Sequence, residues 1–83
     1  SIGIATLCET AKRVASAFPN AEIEIVETHH IRKADAPSGT ALMLADSIKD
    51  VRPNAKYVFG RSGMCKREKN EIGIHALRMA NIV

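Results

Sequence analysis

Aromatic side chains are scarce in this sequence: one tyrosine, two phenylalanines and no tryptophan in 83 residues. A core without large rings must be built from Ile, Val, Leu, Ala and Met. A chain this short buries only roughly 60% of the surface it exposes when unfolded. The piece is therefore expected to lean on another domain or subunit. Cysteine is equally sparse, with Cys8 and Cys65 alone. Two cysteines outside any Cys-x-x-Cys pair exclude a disulfide framework, and a reduced, cytoplasmic setting is expected. No apolar run approaches the ~20 residues that a membrane span requires. Ser1-Ile2-Gly3-Ile4 lacks the charged leader of a signal peptide. No Gly-x-Gly-x-x-Gly follows a strand pattern, so a dinucleotide-binding turn is missing. The sequence starts without Met and stops at Ile82-Val83, which reads as an interrupted strand. It is expected to be a piece of a longer protein.

What is present is an ordinary globular composition, 46% hydrophobic and 25% charged. The formal charge of +3 is a mild bias. A nucleic-acid binder would show a dense basic stripe. Here Arg61, Lys66, Arg67 and Lys69 crowd one stretch, while Glu22, Glu24 and Glu27 crowd another. An anionic small molecule accounts for that as well as a polyanion does.

Apolar residues at Ile4, Leu7, Cys8, Ala11, Val14, Ala15 and Phe18 predict a helix over Gly3–Phe18, stopped by Pro19-Asn20. The alternation from Glu22 through Thr28 predicts a strand with one buried face, running into His29-His30. Ile31 to Pro37 reads as a loop. Ser38-Gly39-Thr40 opens a second helix, with Ser38 as N-cap, and Arg52-Pro53-Asn54 closes it. Lys56–Phe59 is a short strand, Gly60–Asn70 an exposed mobile loop, and Ile72 starts a last strand that continues past Val83. The order helix-strand-helix-strand-strand predicts an α/β (α+β) fold, a mixed sheet with helices packed on one face.

Chemistry concentrates in the run from Glu27 to Leu42. His29, His30, Lys33 and Asp35 lie between a strand end and a helix start, where open α/β sheets place their ligands. Histidine exchanges a proton near neutral pH. Lysine brings a positive charge and donates a proton when its surroundings lower its pKa. Pro37-Ser38-Gly39-Thr40 leaves free N–H groups at a helix N-terminus, which favour an anion. Gly39 admits close approach, and the Ser38 and Thr40 hydroxyls add donors. Each residue alone has a plainer reading: a hydrogen-bonded histidine pair, an N-cap serine, an aspartate offsetting a lysine, a solvated lysine. Their joint density carries the argument. A metal site fits poorly, because adjacent histidines on a strand point to opposite faces and no ligand spacing matches. Cys65 beside Lys66 and Arg67 reads as a passive thiol, since no histidine is near it in sequence. The basic loop reads as solvated or, second, as a clamp over an anion.

The run His29-His30-x-x-Lys33-x-Asp35-x-Pro37-Ser38-Gly39-Thr40-Ala41 resembles the signature of the dihydrodipicolinate reductase family. Ser1-Ile2-Gly3, Gly60-Arg61-Ser62-Gly63 and Ile72-Gly73-Ile74-His75-Ala76-Leu77-Arg78 are similar to other segments of that family. The resemblance implies a truncated C-terminal substrate-binding domain, residues 1–83, of a lysine-biosynthesis reductase acting on a cyclic dicarboxylate. NADPH or NADH would be bound by an N-terminal Rossmann domain absent from this chain, and the parent would be a homotetramer assembled through its sheet. His29 would match the acid/base, Lys33 the proton donor, His30 a substrate contact, and Gly39 with Thr40 the carboxylate cradle, with Ser38 beside them. Met79-Ala80-Asn81 stands where the family carries a glycine pair, which puts the final strands in doubt. By itself the chain is expected to be inactive. The alternatives are an anion- or nucleic-acid-binding module without catalysis, and a self-assembling scaffold.

Overall fold

The computed structural model describes residues 1–81. The element order is α1 (Ile2–Ala17), β1 (Ile23–His29), α2 (Gly39–Lys49), β2 (Lys56–Phe59) and β3 (Glu71–Arg78), as expected from the periodicities. The expected continuation of the last strand through Ile82-Val83 lies outside the described residues. Strand order is β1-β3-β2. Both pairings are parallel, where a mixed sheet was expected. Parallel neighbours need long returns. Helix α2 provides one between β1 and β2, and the connection 60–70 provides the other.

Alternation decides which side of the sheet each residue faces. Ile25, Ile72 and Ile74 point to the helices and are buried with Ala15, Ala41, Ala45, Ile48 and Ala55. Alanines dominate the helix side, so α2 sits close to the sheet. Tyr57 Oη donates to Asp46 Oδ1 at 2.5 Å, tying β2 to α2. Arg52 donates to the carbonyls of Ala21 (2.7 Å) and Phe18 (2.9 Å). It thereby supplies the cation that the last turn of α1 lacks.

Helix α1 forms as expected, but its burial departs from the predicted stripe. Cys8 and Ala15 are buried and Ala11 is half-buried, while Leu7, Val14 and Phe18 are exposed. The helix packs on α2 along a narrow seam of small residues, so most of its apolar face meets no described partner. The chain is correspondingly flat, 40 × 36 × 15 Å. Its radius of gyration is 13.5 Å, against about 12 Å for a compact chain of this length.

The loop 60–70 also differs from the solvated loop expected. Arg61 and Arg67 turn onto Glu24, at 2.9 and 3.1 Å, and Arg61 reaches Glu71 at 2.6 Å. Arg67 further donates to the carbonyls of Ile23 and Glu71. Two of the four basic residues are thus engaged in holding the return against the outer face of the sheet. Past β3, Ala80 takes a left-handed φ of 49° in the segment where the resemblance places a glycine pair. A Cβ makes that conformation unfavourable.

Candidate active site

The helix-facing row of β1 reads Ile23, Ile25, Glu27, His29. A carboxylate in line with core isoleucines needs partners. Arg78 supplies them: Nη1 bonds Glu27 Oε1, and Nη2 lies 3.3 Å from Oε2. The Ser38 N–H donates to Oε2 at 2.8 Å. The guanidinium first, and the Ser38 N–H after it, hold the Glu27 carboxyl down to about 2, although burial acts the other way. Arg78 Nη2 also donates to the Asp35 carbonyl at 2.8 Å. One ion pair therefore joins the ends of β1 and β3 to both halves of the loop that precedes α2.

His29 ends β1, with Nδ1 at 3.4 Å from Glu27 Oε2. His30 lies just past the strand, and its Nδ1 accepts the Arg32 N–H at 3.1 Å. Loss of solvation, then the charge of Arg32, pushes the His30 pKa down. A neutral His30 with Nδ1 occupied carries its proton on Nε2 and is a donor there. The Lys33 N–H donates to the His30 carbonyl, closing a turn. Its ammonium lies 3.0 Å from Asp35 Oδ1. That hydrogen bond holds the Asp35 carboxyl below its ordinary range. Asp35 thus accompanies Lys33 as a counter-ion, and its carbonyl braces the loop through Arg78. Arg32 turns away to Asn81 Oδ1 at 2.8 Å.

Ser38 is the N-cap of α2, with its Oγ accepting the Ala41 N–H at 3.1 Å. It is 3% exposed, and its own N–H is engaged by Glu27. The N–H groups of Gly39 and Thr40 find no acceptor among the described residues. A Cβ built on Gly39 would meet nothing within 4 Å, so the space beside that N–H is open. No acidic residue occupies the first turn of α2. Two donors without an acceptor among the described residues, the positive end of a helix, a lysine and a neutral histidine therefore all lie in the segment that follows the carboxyl end of β1. That arrangement favours a small anion with a proton donor beside it.

The sequence model of the family described as "Dihydrodipicolinate reductase, C-terminus" matches residues 3–83. The chain belongs to the dihydrodipicolinate reductase family. It is 49% identical to the 4-hydroxy-tetrahydrodipicolinate reductase of Clostridium botulinum (strain Eklund 17B / Type B), covering 100% of this chain and 34% of that protein. It is 52% identical to the enzyme of the same name from Clostridium tetani (strain Massachusetts / E88), covering 100% and 33%. A solved dipicolinate-bound dihydrodipicolinate reductase from Paenisporosarcina sp. TG-14 superposes with a TM-score of 0.70. That match has 34% identity and covers 95% of this chain and 31% of the other. The chain thus spans about a third of the length of its reductase relatives.

Glu27 and Arg78 hold this end of the sheet together, yet pattern reading gave neither a role of its own. A signal for Glu27 exists: it breaks the apolar inward row of β1, and a charge there demands a partner. Arg78 lies 51 residues away, and only the register that sets His29 opposite Arg78 brings the two together.

Proposed function

We propose that this chain is the substrate-binding, proton-donating part of an enzyme that reduces dihydrodipicolinate (4-hydroxy-tetrahydrodipicolinate) to tetrahydrodipicolinate. The observation that carries this reading is the pair of N–H groups at Gly39 and Thr40 with no acceptor among the described residues, opening the helix that follows the sheet end where His29, His30 and Lys33 lie. A ring dicarboxylate asks for such groups. One carboxylate takes the Gly39 and Thr40 N–H donors and the Thr40 hydroxyl, and the buried Ser38 hydroxyl shapes the turn behind them. His30 Nε2–H is a further donor. Lys33 neutralises the substrate's charge and delivers a proton, and His29 acts as acid/base. The dipicolinate in the Paenisporosarcina enzyme is a ligand of this chemical class.

The hydride belongs to NADH or NADPH. Among the described residues no glycine-rich turn follows a strand in the way a dinucleotide requires. We therefore assign the nucleotide to an N-terminal Rossmann domain of the parent, outside this chain, and residues 1–83 to its C-terminal domain. We also place the parent in the cytoplasm as a homotetramer assembled through its sheet. Supporting the assembly, Val26 and Leu77 are exposed on the sheet face that carries no helix among the described residues; among those residues no helix is long and apolar enough to cross a membrane. The nucleic-acid reading loses its main support, since Arg61 and Arg67 already face carboxylates.

The test is steady-state reduction by the full-length parent. His29→Gln and Lys33→Ala should each lower turnover by about 10²–10⁴-fold, the usual weight of general acid catalysis. Near-normal turnover in both variants would remove the assignment.

A further inference from the structure

His29 Nδ1 is fully buried and has no well-aligned hydrogen bond among the described residues. Its nearest polar atom is Glu27 Oε2 at 3.4 Å. The His29 side chain as a whole is 29% exposed, so the accessible part of the ring lies away from Nδ1. A neutral imidazole carries one proton, on one nitrogen or the other. With Nδ1 bare, its lone pair would face a carboxylate that Arg78 and Ser38 keep ionised. With the proton on Nδ1, an N–H faces that carboxylate across a gap that a small ring rotation closes. The second arrangement is strongly favoured where water cannot intervene.

We propose that Glu27 is the positioning residue of this site: one carboxylate oxygen, Oε2, fixes the His29 proton on Nδ1 and anchors the Ser38 N–H, so that His29 Nε2 and the free N–H groups of Gly39 and Thr40 serve the same ligand. The inference rests on the assignment of His29 as the acid/base. Glu27 touches neither substrate nor cofactor and acts through its two neighbours. Arg78, on β3, holds the carboxylate in place from the opposite side. A glutamine at position 27 has one acceptor oxygen: kept on Arg78 Nη1 at the Oε1 position, it turns the NH₂ into the Oε2 position, against both the Ser38 N–H and Nδ1. That turn moves the ring proton to Nε2 and removes the acceptor there.

Two measurements on the full-length parent test this. The first is nitrogen-15 NMR of the histidine rings in the unmodified protein at alkaline pH, with His29 assigned by the signal lost in His29→Gln. The expected spectrum has Nδ1 protonated and Nε2 bare; the opposite tautomer overturns the proposal, and no variant need fold for that outcome except the assignment control. The second is a kinetic cycle. Glu27→Gln should lower kcat by about 10²-fold while KM changes less, because the Gly39 and Thr40 donors remain. In a His29→Gln background the same substitution should cost less than about threefold, since residues acting as a unit are not additive. An equal cost in both backgrounds refutes positioning through His29. Near-normal turnover in His29→Gln would instead remove the assignment of His29 as the acid/base, and the proposal with it.

Discussion

Replacing Gly73 by alanine tests how the outer face of the sheet is held. Gly73 is paired with Glu24 across β1 and β3. A Cβ at Gly73 would lie 2.2 Å from Glu24 Oε1 and 2.5 Å from both Cδ and Oε2. No real contact is that short, so the carboxylate must leave. It cannot leave freely, because Arg61 (2.9 Å), Arg67 (3.1 Å) and His75 (2.8 Å) all hold it. These partners, Arg61 foremost, lower the Glu24 carboxyl from 4.5 to about 2. A shift of that size corresponds to about 3 kcal/mol at full weight. The side chain is 36% exposed, and solvent screening reduces the contribution to about 1.5 kcal/mol. Because the folded pKa lies below the unfolded one, this stability is fully present above pH 4.5 and is lost as pH falls towards 2. Urea unfolding of the full-length parent should therefore show Gly73→Ala destabilised by about 1.5–2 kcal/mol at pH 7, the gap narrowing steadily below pH 4.5. In a Glu24→Ala background there is no carboxylate to displace. Alanine is also better tolerated than glycine inside a strand, so the same substitution should then be neutral or slightly stabilising. An equal penalty in both backgrounds, or one independent of pH, would refute the reasoning.

Two further outcomes follow from the C-terminal end of β3. Ala80→Gly should raise stability by about 1 kcal/mol, because Ala80 sits at φ 49° where only glycine is free of steric cost; a lower unfolding midpoint would contradict this. Arg78→Ala should destabilise the parent by about 3 kcal/mol, the usual cost of leaving a largely buried carboxylate unpaired, since Glu27 is only 11% exposed. It should also lower turnover by freeing the Asp35 carbonyl from the loop brace. Unchanged stability in denaturant unfolding would count against the pairing.

How much of this molecule can be read along the chain depends on the range of the forces involved. The start of α2 is legible because its determinants are local. Ser38 caps the Ala41 N–H three residues on, and the Gly39 and Thr40 N–H groups have no acceptor among the described residues. The inward row of β1 is legible because alternation follows from strand geometry. The same holds for the dense run from His29 to Thr40, whose residue types announce an anion and a proton. The burial of α1 is not legible in this way. Its apolar stripe records what the helix can bury, while Leu7, Val14 and Phe18 stay exposed for want of a described neighbour. Arg61 and Arg67 read as solvated charges, because the carboxylate they share is 37 and 43 residues away in the chain. Their partner Glu24 comes from a different strand.

The elements, the helix N-terminus and the loop from His30 to Pro37 were set by neighbours a few residues apart, which is as far as propensity and capping reach. Parallel register did the rest. It put Arg78 beside Glu27, laid Glu24 over Gly73, and turned a half-buried glutamate two residues before His29 into the group that faces its Nδ1. Charge pairs separated by tens of residues form only when the sheet closes, and desolvation at that moment decides which of them matter.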